Sequence, residues 1–142
     1  MRSPVVRVLI ADDRSRSRQG LRALLATQSE ISVVAEARNG QEALRLVEET
    51  RPDAVVMDAR MPKMDGLAAT RAIKERWPDV RVVVLTMYGS HRADALASGA
   101  DAFLVKGCPA EVLLEAILER EAGNGEPAGV VDRRGSDKPN YR

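Results

Sequence analysis

Five polar residues stand directly after short apolar, β-branched runs. Asp12 and Asp13 follow Val5-Val6-Arg7-Val8-Leu9-Ile10-Ala11, and Asp58 follows Ala54-Val55-Val56-Met57. Thr86 closes Val82-Val83-Val84-Leu85, and Lys106 follows Ala102-Phe103-Leu104-Val105. In an open α/β sheet, ligands bind outside the carboxyl ends of the strands. If these runs are strands of one parallel sheet, three carboxylates, a hydroxyl and an ammonium reach the same edge. Crowded carboxylates repel one another unless a cation or proton compensates. A hard divalent cation with oxygen ligands, Mg²⁺ above all, is the natural compensator and leaves positions for phosphate oxygens. Lys106 and Thr86 then offer a positive charge and a hydroxyl donor to a phosphoryl group. A carboxylate can itself accept phosphoryl as an aspartyl phosphate. Asp58, after the run expected at the sheet centre, is the candidate.

Each residue also has a plainer reading. Asp12 and Asp13 can serve as turn and N-cap residues, Asp58 as a solvated loop acid, and Thr86 as a strand former. Lys106 can carry its ammonium out to solvent along an apolar stem. Their joint placement at strand ends favours the chemical reading.

The elements that must position these groups are legible from periodicity. A fifth apolar run, Ile31-Ser32-Val33-Val34-Ala35, lies between the first two. Near-continuous apolar runs of this length suit parallel strands buried on both faces. Helical spacing appears between them: Leu21, Leu24 and Leu25, then Ala43, Leu44 and Val47, then Leu67, Thr70 and Ile73. Asn39-Gly40 and Asp65-Gly66 read as openings of the second and third helices, Trp77-Pro78 lies past the third, and Gly99 fits a helix C-terminal cap. A final helix starts at Pro109 and runs through 111–121. The pattern is an α/β fold, (βα)5, with helices on both faces of a doubly wound, five-stranded parallel sheet. Residues 122–142, broken by glycine and proline, read as a flexible tail with no output domain.

Composition removes other chemistries. The 142 residues carry 22 Lys+Arg against 21 Asp+Glu, for a net charge of +1. Such balance gives no global basic excess for nucleic acid, and an aromatic content of 3% is too low for a base-stacking platform. Cys108 is the only cysteine and His91 the only histidine, so intramolecular disulfides, Cys-cluster zinc sites and two-His metal motifs are impossible. Any Ser-His-Asp triad would need His91, which reads as a solvated residue. No stretch approaches membrane-spanning length, and the cytoplasm is the expected compartment.

Ala11-Asp12-Asp13, Met57-Asp58-Ala59-Arg60-Met61-Pro62-Lys63-Met64-Asp65-Gly66, Leu85-Thr86 and Gly99-Ala100-Asp101-Ala102-Phe103-Leu104-Val105-Lys106 closely resemble the response-regulator receiver (CheY-like) domain. The resemblance covers residues 4–121. Leu85-Thr86-Met87-Tyr88 and Lys106-Gly107 look most like receivers of NarL/LuxR-type regulators. The resemblance implies the flavodoxin-like strand order 2-1-3-4-5 and a phosphoacceptor switch in a two-component system, not a turnover enzyme. Asp58 would receive phosphoryl from a sensor histidine kinase. Asp13, Asp58 and the main-chain carbonyl of Arg60 would ligate Mg²⁺, with Asp12 acting mainly through water. Lys106 would pair with the phosphoryl oxygens, Thr86 would swing to bond them, and Phe103 would follow by rotating inward. The surface of helix four, strand five and helix five would change. Arg60 and Tyr88, two residues after Asp58 and Thr86, would tune water access.

The chain departs from the family pattern in three places. The stretch from Thr86 to Gly99 is about two residues short, leaving a helix four of 92–98 with one large apolar residue, Leu96. Gly107 stands where many receivers have proline. A helix-turn-helix domain, usual after receivers of that type, is not expected in residues 122–142. The shortened stretch motivates an alternative, a phosphorylation-independent interaction module. A Mg²⁺-dependent phosphohydrolase would commonly want an acid at position 60, where this chain has arginine. A flavin site lacks its phosphate-cradling loop after strand one. Helix five carries Val112, Leu113, Ala116 and Ile117 on one stripe, with Leu114 and Leu118 widening it. Contact with helix one explains the extra width, and a receiver homodimer through helix five is the sharper expectation. Arg14, Arg16, Arg18 and Arg22 give helix one a basic face, read as solvated or as a kinase-docking surface.

Overall fold

A computed structural model describes residues 5–118 and the pair 131–132. Five strands alternate with five helices: β1 (Val6–Ala11), α1 (Ser15–Ala26), β2 (Ile31–Ala37), α2 (Gly40–Thr50), β3 (Ala54–Met57), α3 (Gly66–Arg76), β4 (Arg81–Thr86), α4 (Arg92–Ala97), β5 (Ala102–Val105) and α5 (Ala110–Leu118). A single 3-10 turn, Gly89–His91, precedes α4. The five strands are parallel in the order β2-β1-β3-β4-β5, as the resemblance implies. A two-residue strand, β6 (Val131–Asp132), pairs antiparallel with Ala102 and Phe103 on the outer edge of β5. The expected five-stranded sheet therefore gains a short sixth member. The expected tail of 122–142 otherwise lies outside the described residues.

The continuous apolar runs have a simple cause. Successive strand side chains point to opposite faces, and both faces of this sheet are covered. Val8 and Ile10 of β1, Ala54 and Val56 of β3, Val83 and Leu85 of β4, and Ala102 and Leu104 of β5 join one buried cluster, with Leu25 of α1 and the α5 side chains. Their neighbours Leu9, Val55, Met57, Val82, Val84 and Phe103 join the other, beneath α2, α3 and α4. The edge strand β2 differs, because only its end residues, Ile31 and Ala37, are buried.

Both expected helix openings are real caps. Asn39 accepts a hydrogen bond from the Glu42 amide, and Asp65 from the Ala68 amide, each at 2.8 Å. Glu42 reaches back to accept from the Arg38 amide at 2.7 Å, a variant of the capping box. That bond, ahead of the arginine charges nearby, holds the Glu42 carboxyl below its ordinary range. The α5 stripe is spent within the chain: Val112, Leu113, Leu114, Ala116 and Ile117 are all buried. The width that suggested a homodimer face thus packs into the α1-side core. The basic face of α1 is likewise half engaged. Arg18 donates to the Asp12 carbonyl at 2.7 Å, and Arg18 and Arg22 both pair with Glu36.

At the far end of α3, Trp77 has two guanidinium groups over its ring, with Arg51 5.5 Å and Arg76 4.4 Å from the ring centroid. Beside it, Lys74 donates to the carbonyls of Pro78 and Val80 and to the Asp101 carboxylate, all within 2.9 Å. No helix among the described residues is long and apolar enough to cross a membrane.

Candidate functional site

The sheet extends one residue past its strand ends and sets the site residues side by side. The Asp12 amide donates to the Ala37 carbonyl, the Asp58 amide to Ala11, and the Lys106 amide to Thr86 at 2.7 Å. Asp12, Asp58 and Thr86 are buried, Asp13 is exposed, and Lys106 lies between these extremes. Lys106 Nζ donates to Asp12 Oδ2 at 2.8 Å and to Asp58 Oδ2 at 3.3 Å. Carboxylate oxygens of Asp12, Asp13 and Asp58 fall within 4.8 Å of one another. All of the strand-end groups therefore converge, and Asp13, Asp58, Thr86 and Lys106 line one cavity of about 600 Å³.

The electrostatics favour a cation and an acceptor role. Burial pushes the Asp58 carboxyl up from its ordinary value of 3.8, Lys106 opposes that shift, and the Asp12 charge adds to it. A single ammonium thus serves two carboxylates, with a third at the rim. An all-oxygen donor set of this kind, open to a solvent-accessible cavity, fits Mg²⁺.

The β3–α3 loop is clamped by two close approaches. A Cβ on Gly66 would lie 1.8 Å from the Asp58 carbonyl oxygen, and one on Gly40 would lie 2.2 Å from that of Met64. The absence of those side chains lets the Gly66 amide donate to Ala59, and the Gly40 amide to Met64, at 2.9 and 2.8 Å. Met61, buried to 9% exposure, anchors the loop in the core. Arg60 turns its side chain outward, and its amide reaches Asp58 Oδ1 at 3.4 Å.

Some sequence expectations change. Phe103 is only 2% exposed, in the cluster that holds Val84, Ala95 and Ala100. The small residues around α4 leave the ring room inside, and in this structure it already lies there. Helix four is shorter than expected, six residues after the 3-10 turn. The Lys106–Gly107 bond is trans, and Gly107 takes φ +97°, a backbone conformation closed to proline. Proline's replacement here therefore builds a different turn into α5. Asp12 combines its two readings, since Oδ1 accepts from the Arg14 amide at 2.9 Å while Oδ2 pairs with Lys106.

Three contributors escaped sequence reasoning. Ser17 Oγ lies 3.4 Å from Lys106 Nζ. Arg18 holds the Asp12 carbonyl. His91, read as solvated, is half-buried with Nδ1 3.4 Å from the Thr86 hydroxyl. Only the serine and arginine spacing on α1 carried any prior signal.

Comparison with known proteins agrees with this geometry. The model of the response regulator receiver domain matches residues 8–118. The chain is 43% identical over 123 residues to the uncharacterized transcriptional regulatory protein YhcZ of Bacillus subtilis, covering 85% of this chain and 56% of that protein. It is 39% identical to the transcriptional regulatory protein DegU of Brevibacillus brevis, covering 79% and 48%. Among solved structures, a LuxR-family two-component response regulator from Aurantimonas sp. SI85-9A1 superposes with a TM-score of 0.77 at 34% identity, over 81% of this chain and 84% of that one. The receiver domain of the response regulator NarL from Mycobacterium tuberculosis gives 0.76 at 30% identity, over 83% and 100%. With five parallel strands and an acid-and-lysine edge, the chain belongs to the response-regulator receiver family. It spans about half the length of the curated relatives it matches. Nothing in these findings favours the interaction-module alternative.

Proposed function

We propose that Asp58 is the phosphoacceptor of this cytoplasmic receiver domain, which spans residues 4–121, and that a sensor histidine kinase is the donor. The observation that carries this reading is the buried Asp58 carboxylate. It is 3.3 Å from Lys106 Nζ and faces a cavity of about 600 Å³ that it shares with Asp13 and Thr86. A carboxylate oxygen of Asp58 attacks phosphorus, the P–N bond of the donor phosphohistidine breaks, and the departing imidazole nitrogen takes a proton from solvent. Lys106 stays beside the new acyl phosphate as its fixed positive partner. Asp12, Asp13, Asp58 and the Arg60 main-chain carbonyl would hold Mg²⁺, which when bound neutralises charge on the phosphoryl oxygens. The added charge of about −1.5 to −2 then recruits the Thr86 hydroxyl and biases the α4–β5–α5 surface. A DNA-binding output, as in regulators of the NarL/LuxR type, would lie outside this unit.

Incubation with Mg²⁺ and acetyl phosphate, followed by intact-mass measurement, tests the reading. It expects one hydroxylamine-labile phosphoryl adduct, absent from Asp58→Asn. A folded protein that gains no adduct overturns it.

A further inference from the structure

Thr86 has a contact that the phosphoacceptor reading leaves unused. It is 1% exposed, and its hydroxyl oxygen lies 3.4 Å from His91 Nδ1. The Asp58 carboxylate is instead engaged by Lys106 and the Arg60 amide. His91 ends the 3-10 turn Gly89–His91 and directly precedes α4. Its amide donates to the Tyr88 carbonyl at 3.2 Å, and its ring meets the Tyr88 ring edge-on, centroids 5.8 Å apart. The tight turn brings the chain back over the strand end it has just left. His91 therefore shares the cavity wall with Asp58 and Lys106.

We propose that His91 is a positioning residue for the switch. It latches the Thr86 hydroxyl in the resting state, and phosphorylation of Asp58 draws that hydroxyl away and frees the turn that leads into α4. The proposal rests on the reading of Asp58 as phosphoacceptor. With its proton on Nε2, the neutral imidazole presents Nδ1 as an acceptor, and Thr86 donates to it. A hydroxyl has one proton, so it cannot donate to Nδ1 and to a phosphoryl oxygen together. Charged phosphoryl oxygens are the stronger acceptors, and 3.4 Å is long for a hydrogen bond, so the latch is weak enough to yield. Release matters because α4 has only six residues, too few to hold a helix by itself. Its place depends on Ala95 in the core and on the anchoring of its first turn.

His91 is the only histidine, so its ring nitrogens can be read in the intact protein without ambiguity. In long-range ¹H–¹⁵N spectra, Thr86→Ala should move the Nδ1 resonance of the resting protein. Phosphorylation by acetyl phosphate with Mg²⁺ should move it in the same direction. His91→Leu should speed phosphorylation of Asp58 by about twofold, the worth of a hydrogen bond at the weak end of the usual range. His91→Asn, which keeps a polar atom near the Nδ1 position, should return the rate towards that of the native protein. In a Thr86→Ala background, His91→Leu should have no further effect. An Nδ1 resonance unmoved by Thr86→Ala overturns the latch, and so does a His91→Leu effect equal in both backgrounds. An adduct with an unmoved imidazole overturns the latch alone. No adduct on the native protein overturns the phosphoacceptor reading and the release step with it.

Discussion

At the residue scale, one ammonium balances two buried carboxylates, and Asp58 is the less satisfied of the pair. Its carboxyl titrates above the ordinary 3.8 because burial outweighs Lys106. Between that value and its higher folded value, the native state binds more protons than the unfolded chain. Stability from this group is therefore greatest below 3.8 and falls as pH rises through the folded value. Asp58→Asn should accordingly unfold a few degrees higher than the native protein at neutral pH in metal-free buffer, with the gain shrinking in acid. Thermal scans at two pH values check this. Tyr88 stands 55% exposed at the cavity rim, where the family resemblance would have it limit water access. Tyr88→Ala should speed acyl-phosphate loss about threefold, equivalent to roughly 0.7 kcal/mol of barrier. An unchanged decay rate would remove Tyr88 from the site's function.

At the element scale, much of the site was legible because each acid or hydroxyl sits at a strand end, and strand ends follow from apolar runs. Asn39 and Asp65 were legible as caps for the same reason, being local signals before periodic segments. What escaped is tertiary. His91 meets Thr86 only because a tight turn reverses the chain, and nothing in the periodicity of 86–99 encodes that reversal. Phe103 could be placed on β5, but whether its ring lies inside depends on the small residues of a neighbouring helix. Leu114 read as surplus on an isolated helix, whereas the α1-side core has room for it. The glycine at 66 carried more than the helix opening it announced. Gly66→Ala would drive a Cβ into the Asp58 carbonyl and should destabilise by about 1–3 kcal/mol. Because the same carbonyl belongs to the proposed phosphoacceptor, the yield of adduct should drop as well. Urea denaturation and intact mass on one sample test both effects.

At the scale of the whole molecule, chemistry and mechanical support occupy opposite ends of the sheet. Lys74 joins the end of α3, the start of β4 and the Asp101 carboxylate before β5, far from the strand C-termini. Lys74→Met should cost about 2–3 kcal/mol by stranding partly buried acceptors. Phosphorylation of the folded fraction should remain normal, and a loss of adduct would show that the two ends are coupled. Trp77 marks the supporting end. It is the only tryptophan, and α3 carries it roughly 16 Å from Gly66, which underlies Asp58. Its indole, with the two guanidinium groups over it, should therefore serve as a native fluorophore for unfolding. Folding can then be followed optically through an indole at one pole while the proposed latch is read through an imidazole at the other, with no extrinsic probe attached to either.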